Sequence, residues 1–374
     1  MIRGFCIHAA SAASAARERA ELQALLDTLG LAADAVAEPV PGGSGTRWSL
    51  AAAAAAHWTP GFDTLQLAQR GPLGRGEPGS ALDAEIVLAL LASPIALAFP
   101  SLAEWHSALR MRRDIVAAAW RTTMDFHTAR VDRPPAFWDY DEDSGFILKP
   151  GVDLVEALTQ ATQPAVSGRL YAFSCYRATE YVILLAIALE ARRSHPALYA
   201  ALQQQWRRHA VASGRFHDSF LHEWGSNEEP LPMTWYVPGD RVWFRNPDEP
   251  SSDVSGYEGS WVIYLGQGLF ANFWKPDQPF DLTRKCVEVY HWRHATYTDA
   301  DGELRMDEAV VEQRVAATLA DPQATAAVLA RMCRYKDGRG IYADGGCMDT
   351  TRECPRWVQP GSCDITLPDV AIPN

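Results

Sequence analysis

The chain has 374 residues, a length that fits one large domain with additions or two domains. Its formal net charge of −12 argues against broad nucleic-acid binding, which needs a basic surface. No apolar run is long enough for a membrane span, so we expect no transmembrane helix. The segment Met1–Ala20 lacks the apolar core of a signal peptide. The localisation therefore stays unknown, with cytosolic synthesis or a non-classical export route as the two alternatives.

The first 80 residues are rich in alanine and predict a helical N-terminal section. We expect one helix near residues 13–29 and a second over 50–57. The Gly/Pro-rich stretch 71–79 is typical of a loop or linker. We therefore place a boundary at residue 80, with 1–80 as the first section.

Helices are predicted to precede a group of strands. The periodicity favours helices over 82–92 and 101–123, the second with Ser101 as N-cap and Glu104 completing a capping box. Strands are then expected over 241–245, 261–265, 269–274 and 287–292, and helices over 307–319 and 322–334. Helices followed by antiparallel strands indicate an α+β fold.

Four of the seven cysteines lie in the last segment of the chain: Cys333, Cys347, Cys354 and Cys363. This segment is rich in Gly, Asp and Pro, so it predicts a Cys-rich tail stapled by disulfides. A zinc site is the alternative, but the spacing contains no close Cys pair. Disulfides would imply an oxidising destination.

A cysteine stands at the start of a strongly apolar segment. Ser174 is suited to be an N-cap, which would place Cys175 in the first turn of a helix. Residues 181–189 are apolar on every face, so this helix should be buried in a core. A helix N-terminus favours an anion and should lower the pKa of the thiol. Cys175 is then a candidate nucleophile for an acyl group; the alternative is a buried cysteine that only packs.

Three segments carry a resemblance to a known family. They are residues 102–119, with Arg-Met and Ile-Val-Ala-Ala-Ala; 170–175, Leu-Tyr-Ala-Phe-Ser-Cys; and 231–272, with Gly-Asp-Arg-Val-Trp-Phe-Arg-Asn-Pro. In order and spacing they resemble the bacterial spore-coat type of protein-glutamine γ-glutamyltransferase, or transglutaminase, over residues 86–282. The resemblance implies a papain-like core, related to the cell-wall endopeptidases, in which a cysteine begins a central helix packed on an antiparallel sheet. We assign this core to residues 81–292.

The resemblance also implies roles for particular residues. Cys175 takes the position of the nucleophile. The family has a glutamate immediately before it, where this chain has Ser174, and a second glutamate where this chain has Ser260. A family histidine is replaced by Asn272. The nucleophile is therefore present, but its usual proton-transfer partners are not.

Glu258 is the candidate replacement for the missing base. It precedes Ser260 by two positions, and residues i and i+2 share a face of a strand. A bulge at Gly259 would bring it nearer the sulfur. The alternatives are an ordinary exposed loop glutamate at 258, or Ser260 acting through water with Asn272 as the orienting group. Three further side chains are expected to bind substrate: Ser174, Tyr171 and Trp224.

The resemblance implies a cysteine acyltransferase that acts on protein glutamine through a thioester, releases ammonia and passes the acyl group to a lysine or other amine. The alternatives are a glutamine deamidase or amidase on the same core, or a non-catalytic binding relative. No cofactor or metal is implied. The helical extension and tail, residues 293–374, suggest a delivery or inhibitory partner protein in addition to the protein substrate, as for a bacterial effector.

Overall fold

The computed structural model describes residues 2–74, 79–125, 131–337 and 345–372. Helices and strands alternate along the chain, and the strands form separate sheets covered by helices. The α+β fold class predicted from the sequence is confirmed.

Three strands of the N-terminal section join a fourth strand, which follows residue 80, in a sheet with the order β2-β3-β1-β4. The two helices expected here are present, over Ala12–Leu29 and Ala52–Trp58. The section also contains three strands of four to six residues, which the sequence did not predict because such short strands in alanine-rich sequence leave little periodic signal. The buried rings of Phe5, Trp48 and Phe99 pack between this sheet and its helices. The elements are β1 Phe5–His8, α1 Ala12–Leu29, β2 Ala35–Pro39, β3 Gly45–Leu50, α2 Ala52–Trp58, a 3₁₀ turn Pro60–Phe62, α3 Leu67–Arg70, α4 Ser80–Leu91 and β4 Leu97–Phe99.

The middle of the chain builds a core around one long buried helix, α8, which packs against α5, α6 and α9. Its residues from Ala178 to Ala188 are buried on all faces, as their sequence predicts. The elements here are α5 Leu102–Arg121, β5 Trp138–Asp141, β6 Gly145–Leu148, α6 Leu154–Thr162, α7 Pro164–Ser167, α8 Cys175–Ser194, α9 Pro196–Arg208, α10 Ser213–Phe220, β7 Leu221–Trp224, β8 Arg241–Arg245, α11 Glu249–Ser252, β9 Gly259–Gly266, β10 Leu269–Phe270, β11 Phe280–Asp281 and α12 Leu282–Trp292.

The last part of the chain returns to the main sheet instead of forming a separate tail. Its strand β14 lies between β8 and β7, so that the six-stranded sheet has the order β11-β10-β9-β8-β14-β7, with antiparallel neighbours. The elements are β12 Thr296–Thr298, β13 Leu304–Met306, α13 Glu308–Leu319, α14 Pro322–Met332 and β14 Arg352–Pro355.

The two faces of β9 contact different helices. Ile263 and Leu265 pack into the core around α8. Val262 and Tyr264 face the layer formed by α12, α13 and α14. The sheet therefore lies between the central helix and the C-terminal helices.

Two predicted strands are corrected. Residues 287–292 belong to α12, which begins after Asp281, whose side chain accepts a hydrogen bond from the Arg284 N–H at 2.6 Å. Alternating apolar and polar residues gave this stretch a strand pattern, but burial of Cys286, Val287 and Val289 against the sheet favours the helix. The strand expected over 269–274 ends at Phe270.

The C-terminal segment is held by buried polar contacts. The carboxylate of Glu104 accepts hydrogen bonds from the N–H groups of Val358 and Gln359, at 3.0 and 2.9 Å, and from the Ser362 hydroxyl at 2.6 Å. Glu104 therefore does not complete a capping box, although Ser101 is the N-cap of α5, as predicted.

The disulfide-stapled tail is not observed. All seven cysteines are free thiols, and Cys333 and Cys347 lie beside Cys286, which is outside the tail. Cys354 is buried in β14. Because β14 is buried in the main sheet, this segment shares the core of the rest of the protein. A loop-rich composition gives no signal of such burial. Within the described ranges, the helices are all too short or too polar to cross a membrane.

Candidate active site

Cys175 is the first residue of α8, as the sequence predicts. The Ser174 hydroxyl accepts a hydrogen bond from the Arg177 N–H at 3.3 Å and caps the helix. The Cys175 side chain is 8% exposed and lines a cavity of about 480 Å³. Cys175 is therefore largely buried, but it opens onto a space that can hold a substrate side chain.

The cavity lies where α8, the start of β9 and the helices α12 and α13 meet. Ser260 comes from β9, Lys285 and Glu288 come from α12, and Glu308 comes from α13. Four segments, several of them far apart in the sequence, thus line the same cavity as Cys175. The mixed polar and apolar lining is typical of a site that binds and orients a ligand.

The electrostatic environment of Cys175 differs from the expectation. Burial is the largest influence and raises the pKa of the thiol above its ordinary value. Hydrogen bonding from the main-chain N–H of Trp261 and the positive charge of Lys285 oppose this rise, followed by the Tyr176 N–H and Arg241. The helix start alone does not lower the pKa of this thiol, because desolvation of the thiolate outweighs it.

Arg241 is a buried cation whose charge acts on the Cys175 thiol. Its guanidinium donates to the Glu353 carboxylate and to the Thr179 hydroxyl, both at 2.8 Å. It also stacks over Tyr176 and Trp261, at 4.4 and 4.0 Å from the ring centres. These contacts hold the rings of Tyr176 and Trp261 in place, and they pair the charge of Arg241 with a carboxylate.

Lys285 is the residue that sequence reasoning missed. It is 1% exposed, and its ammonium lies 3.3 Å from Glu288 Oε1 and 3.9 Å from the centre of the Phe280 ring. A buried lysine needs compensating partners, which makes its position in the cavity chemically significant. The misassigned strand over 287–292 hid it. The helix signal was Asp281 as an N-cap followed by apolar residues at helical spacing.

Ser260 and Glu258 have different surroundings. Ser260 is buried and lines the cavity with Cys175. Glu258 is exposed, and its carboxylate accepts a hydrogen bond from the Gly256 N–H at 3.3 Å. The strands β8 and β9 pair in regular register through Gly259, so the expected bulge is absent there. The structure does not bring Glu258 into the cavity.

Asn272 lies on the cavity wall, but its amide is used within its own loop. Its Nδ2 donates to the Gln278 carbonyl at 3.0 Å, and its Oδ1 accepts from the N–H groups of Trp274 and Lys275 at 3.4 and 3.2 Å. These bonds shape the wall of the cavity. They do not connect Asn272 to Ser260 or Cys175.

The three residues expected to bind substrate lie in different surroundings. Ser174 is the helix cap described above. Tyr171 is buried, and the Arg169 guanidinium lies 4.9 Å from its ring centre. Trp224 lines a different surface depression with His222 and packs near Trp235. It is therefore not part of the Cys175 cavity. Asp240 of the Gly-Asp motif is structural, since it accepts a hydrogen bond from Arg112 at 2.8 Å in a buried ion pair.

The described residues contain no group of three or more His, Cys, Asp or Glu side chains arranged to hold a metal ion. The chemistry that the cavity offers is that of its thiol, hydroxyl, ammonium and carboxylate groups. A thiol that has main-chain N–H groups and cations near it can react as a nucleophile once it loses its proton.

Comparisons with known proteins identify the family of the chain. The sequence model of the protein-glutamine gamma-glutamyltransferase family matches residues 68–318. The solved transglutaminase from Geobacillus stearothermophilus (without C-terminal extension) is similar at 22% identity and a TM-score of 0.39, over 57% of this chain and 98% of that chain. No curated protein sequence matches.

The family match spans more than half of the chain, so the chain belongs to the protein-glutamine γ-glutamyltransferase family. It is a transferase of the transglutaminase type, and its family implies protein substrates. The matched region extends beyond the resemblance seen in the sequence and includes α13, which lines the cavity.

Proposed function

We propose that Cys175 is the nucleophile of a protein-glutamine acyltransferase and that the cavity at its sulfur receives the glutamine side chain. The observation that carries this proposal is the position of Cys175 at the start of a buried helix, facing the cavity. The family to which the chain belongs supports the choice of glutamine as acyl donor.

The reaction follows from the chemistry of the groups present. The Cys175 thiolate attacks the side-chain amide carbon of glutamine, the C–N bond breaks, and the nitrogen leaves as ammonia after taking a proton from water. The acyl group remains on sulfur as a thioester. The main-chain N–H groups of Tyr176 and Trp261 are the nearby donors for the oxygen charge that develops during attack.

The acceptor is proposed to be a lysine side chain or another primary amine. The charged side chains that line the cavity are four carboxylates and three cations: Asp125, Glu288, Glu308, Glu312, Lys275, Arg284 and Lys285. The lining thus has an excess of one negative charge (four against three), which favours the approach of a cationic amine to the thioester. Attack of the amine on the acyl carbon forms an isopeptide bond, breaks the C–S bond of the thioester and regenerates free Cys175.

The test is incorporation of a fluorescent amine into a glutamine-containing protein, with ammonia release measured in parallel. Cys175→Ala should abolish both signals and keep the melting temperature close to that of the wild type. Cys6→Ala is the matched control, because Cys6 is partly exposed on β1 in the N-terminal sheet.

The outcomes separate the alternatives. Ammonia release without amine incorporation would identify a glutamine deamidase. Neither signal from the wild type, with a folded protein and an intact Cys175, would favour a binding relative. Full incorporation by Cys175→Ala would exclude Cys175 as the nucleophile.

A further inference from the structure

Lys285 and Cys175 line the same cavity although they are 110 positions apart in the sequence. Lys285 lies on α12, one element beyond the sheet, and Cys175 begins α8. The resemblance seen in the sequence implies that Ser260 and Asn272 stand where the family has residues that move a proton for the cysteine. A serine hydroxyl cannot take a thiol proton at neutral pH, and the amide of Asn272 is used in its own loop.

Two buried cations act on the Cys175 thiol, Lys285 and Arg241, and the charge of Lys285 is the less completely paired. The guanidinium of Arg241 is paired with Glu353 at 2.8 Å and stacked between two rings. The ammonium of Lys285 has a longer contact, 3.3 Å, to Glu288, whose side chain is 22% exposed. Since solvent screens Glu288, the charge of Lys285 is less completely compensated within the cavity.

Building on the proposed function, we infer that the Lys285 ammonium is the charged partner that stabilises the thiolate when the Cys175 thiol loses its proton. The thiol proton is lost to solvent, Lys285 stays protonated, and the thiolate–ammonium pair is the form that attacks glutamine. This arrangement needs no carboxylate or histidine base beside the cysteine. It explains how the chain keeps a nucleophile where Ser260 and Asn272 replace the family's acidic and basic groups.

The other charged groups facing the cavity belong to several elements: Asp125, Lys275, Arg284, Glu288, Glu308 and Glu312. Lys275 is paired with Glu312, and Glu308 accepts a hydrogen bond from the Tyr257 hydroxyl at 2.9 Å. Lys275 therefore provides a matched control. It is a lysine of the same cavity whose charge is balanced by a carboxylate.

The experiment is the pH dependence of iodoacetamide alkylation at Cys175, followed by peptide mass spectrometry. Lys285→Met should move the midpoint upward by about one pH unit or more, which slows alkylation at pH 7 roughly tenfold. Lys285→Arg should keep the rate within about threefold because it keeps the charge. Lys275→Met should leave the profile close to that of the wild type.

A second variant keeps the test decisive if Lys285→Met does not fold. Glu288→Gln removes the partly exposed carboxylate beside Lys285, so it should shift the midpoint downward and speed alkylation at pH 7. An unchanged profile in folded Lys285→Met, or an upward shift in Glu288→Gln, would overturn the inference. Alkylation does not need a glutamine substrate. A shifted profile without amine incorporation would therefore keep the role of Lys285 and reject the proposed function.

A second and independent observation concerns three thiols on the far side of α12. Cys286 Sγ lies 3.5 Å from Cys347 Sγ and 3.6 Å from Cys333 Sγ. Cys286 and Cys347 are fully buried, whereas Cys333 at the end of α14 is partly exposed. We call these three residues the thiol cluster.

We infer that the thiol cluster is a redox site in which Cys286 forms a disulfide with Cys333 or Cys347. The two thiols lose two protons and two electrons to a small-molecule disulfide, which is reduced to two thiols. Exposure of Cys333 gives such an oxidant access, and exchange within the cluster passes the bond to Cys347. The disulfide would tie α12, which carries Lys285, to the segment that follows α14.

Incubation with oxidised glutathione, alkylation of the remaining thiols and non-reducing peptide mapping test this inference. We expect a crosslinked peptide that contains Cys286, and a melting temperature raised by several degrees. Cys286→Ser should remove both effects, and Cys363→Ser should remove neither. Three freely alkylated cluster thiols after oxidation, or a bond between Cys354 and Cys363 in their place, would contradict it.

Discussion

The Glu353 carboxylate accepts a hydrogen bond from Arg241 Nη1 at 2.8 Å, and the two residues face each other in neighbouring strands. Glu353 also contacts His217 Nδ1 at 2.8 Å. Burial pushes the pKa of Glu353 upward, but His217 and Arg241 outweigh it and hold this pKa below its ordinary value. The C-terminal strand thus supplies the counter-ion for a cation that acts on the Cys175 thiol.

Glu353→Ala should therefore lower both stability and activity. Removing one partner of a buried ion pair costs about 3–5 kcal/mol, because the other charge is left uncompensated. Denaturant unfolding and amine incorporation are the measurements. Glu38→Ala, which breaks an exposed pair with Arg47, should leave the free energy of unfolding close to that of the wild type because solvent screens this pair. Equal losses in the two variants would reject a special role for the Glu353 pair.

Glu85 predicts a pH-dependent stability. Burial raises the pKa of this carboxyl to about 7, although hydrogen bonds from the Gln267 N–H at 2.8 Å and the Tyr264 hydroxyl at 3.0 Å act against the rise. The native state then binds more protons than the unfolded state between about pH 4.5 and pH 7. Stability should fall as the pH rises through this window, by about 3 kcal/mol at most.

Glu85→Gln should remove this pH dependence. Both hydrogen bonds end on Oε1, so a glutamine can keep them without carrying a charge. Unfolding free energies at pH 5 and pH 8 should then differ less than in the wild type, with the gain at pH 8. Glu229→Gln, at an exposed position, is the control. The same pH dependence in Glu85→Gln and the wild type would contradict the prediction.

Glu258→Gln and Ser260→Ala should have unequal effects on catalysis. The Glu258 side chain is exposed and bonds within its own loop, so amine incorporation should stay within about twofold. Ser260 lines the cavity and directly precedes Trp261, whose N–H acts on the sulfur. Loss of its hydroxyl should lower the rate several-fold. A dead Glu258→Gln enzyme that still folds would restore the carboxylate as the base.

Gly259 should not tolerate a side chain. A Cβ there would lie 2.2 Å from Trp243 Nε1 and 2.7 Å from the Phe244 carbonyl oxygen. Because Trp243 is stacked on Trp261 at 5.7 Å between ring centres, it has little freedom to move. Gly259→Ala should therefore destabilise the protein by about 1–3 kcal/mol.

The control for Gly259→Ala is Gly214→Ala in α10. A Cβ at Gly214 meets no atom within 4 Å, and alanine is the better helix former. This substitution should be neutral or stabilising by up to about 1 kcal/mol. Thermal melts of the two variants and the wild type measure the difference in stability. A Gly259→Ala protein as stable as the wild type would show that the wall beside Cys175 is adaptable.

The sequence by itself determined the elements whose signals are local. The helix at Cys175 follows from an N-cap at Ser174 and a run that is apolar on every face, and both signals lie within one segment. The strand over 241–245 and the helices over 307–319 and 322–334 were also predicted from signals within one segment. Their bounds agree closely with the structure.

Only the tertiary structure decided which groups surround the sulfur. Lys285 reaches the cavity because α12 packs on the sheet, and Arg241 is held because β14 inserts between β8 and β7. The thiol cluster joins α12 to residues 47 and 61 positions away. These contacts depend on burial between distant segments, for which the order of residues along one segment carries no signal. Glu258 shows the limit of sequence spacing. Its position two residues before Ser260 predicted a carboxylate near the sulfur, but the structure leaves this carboxylate exposed to solvent.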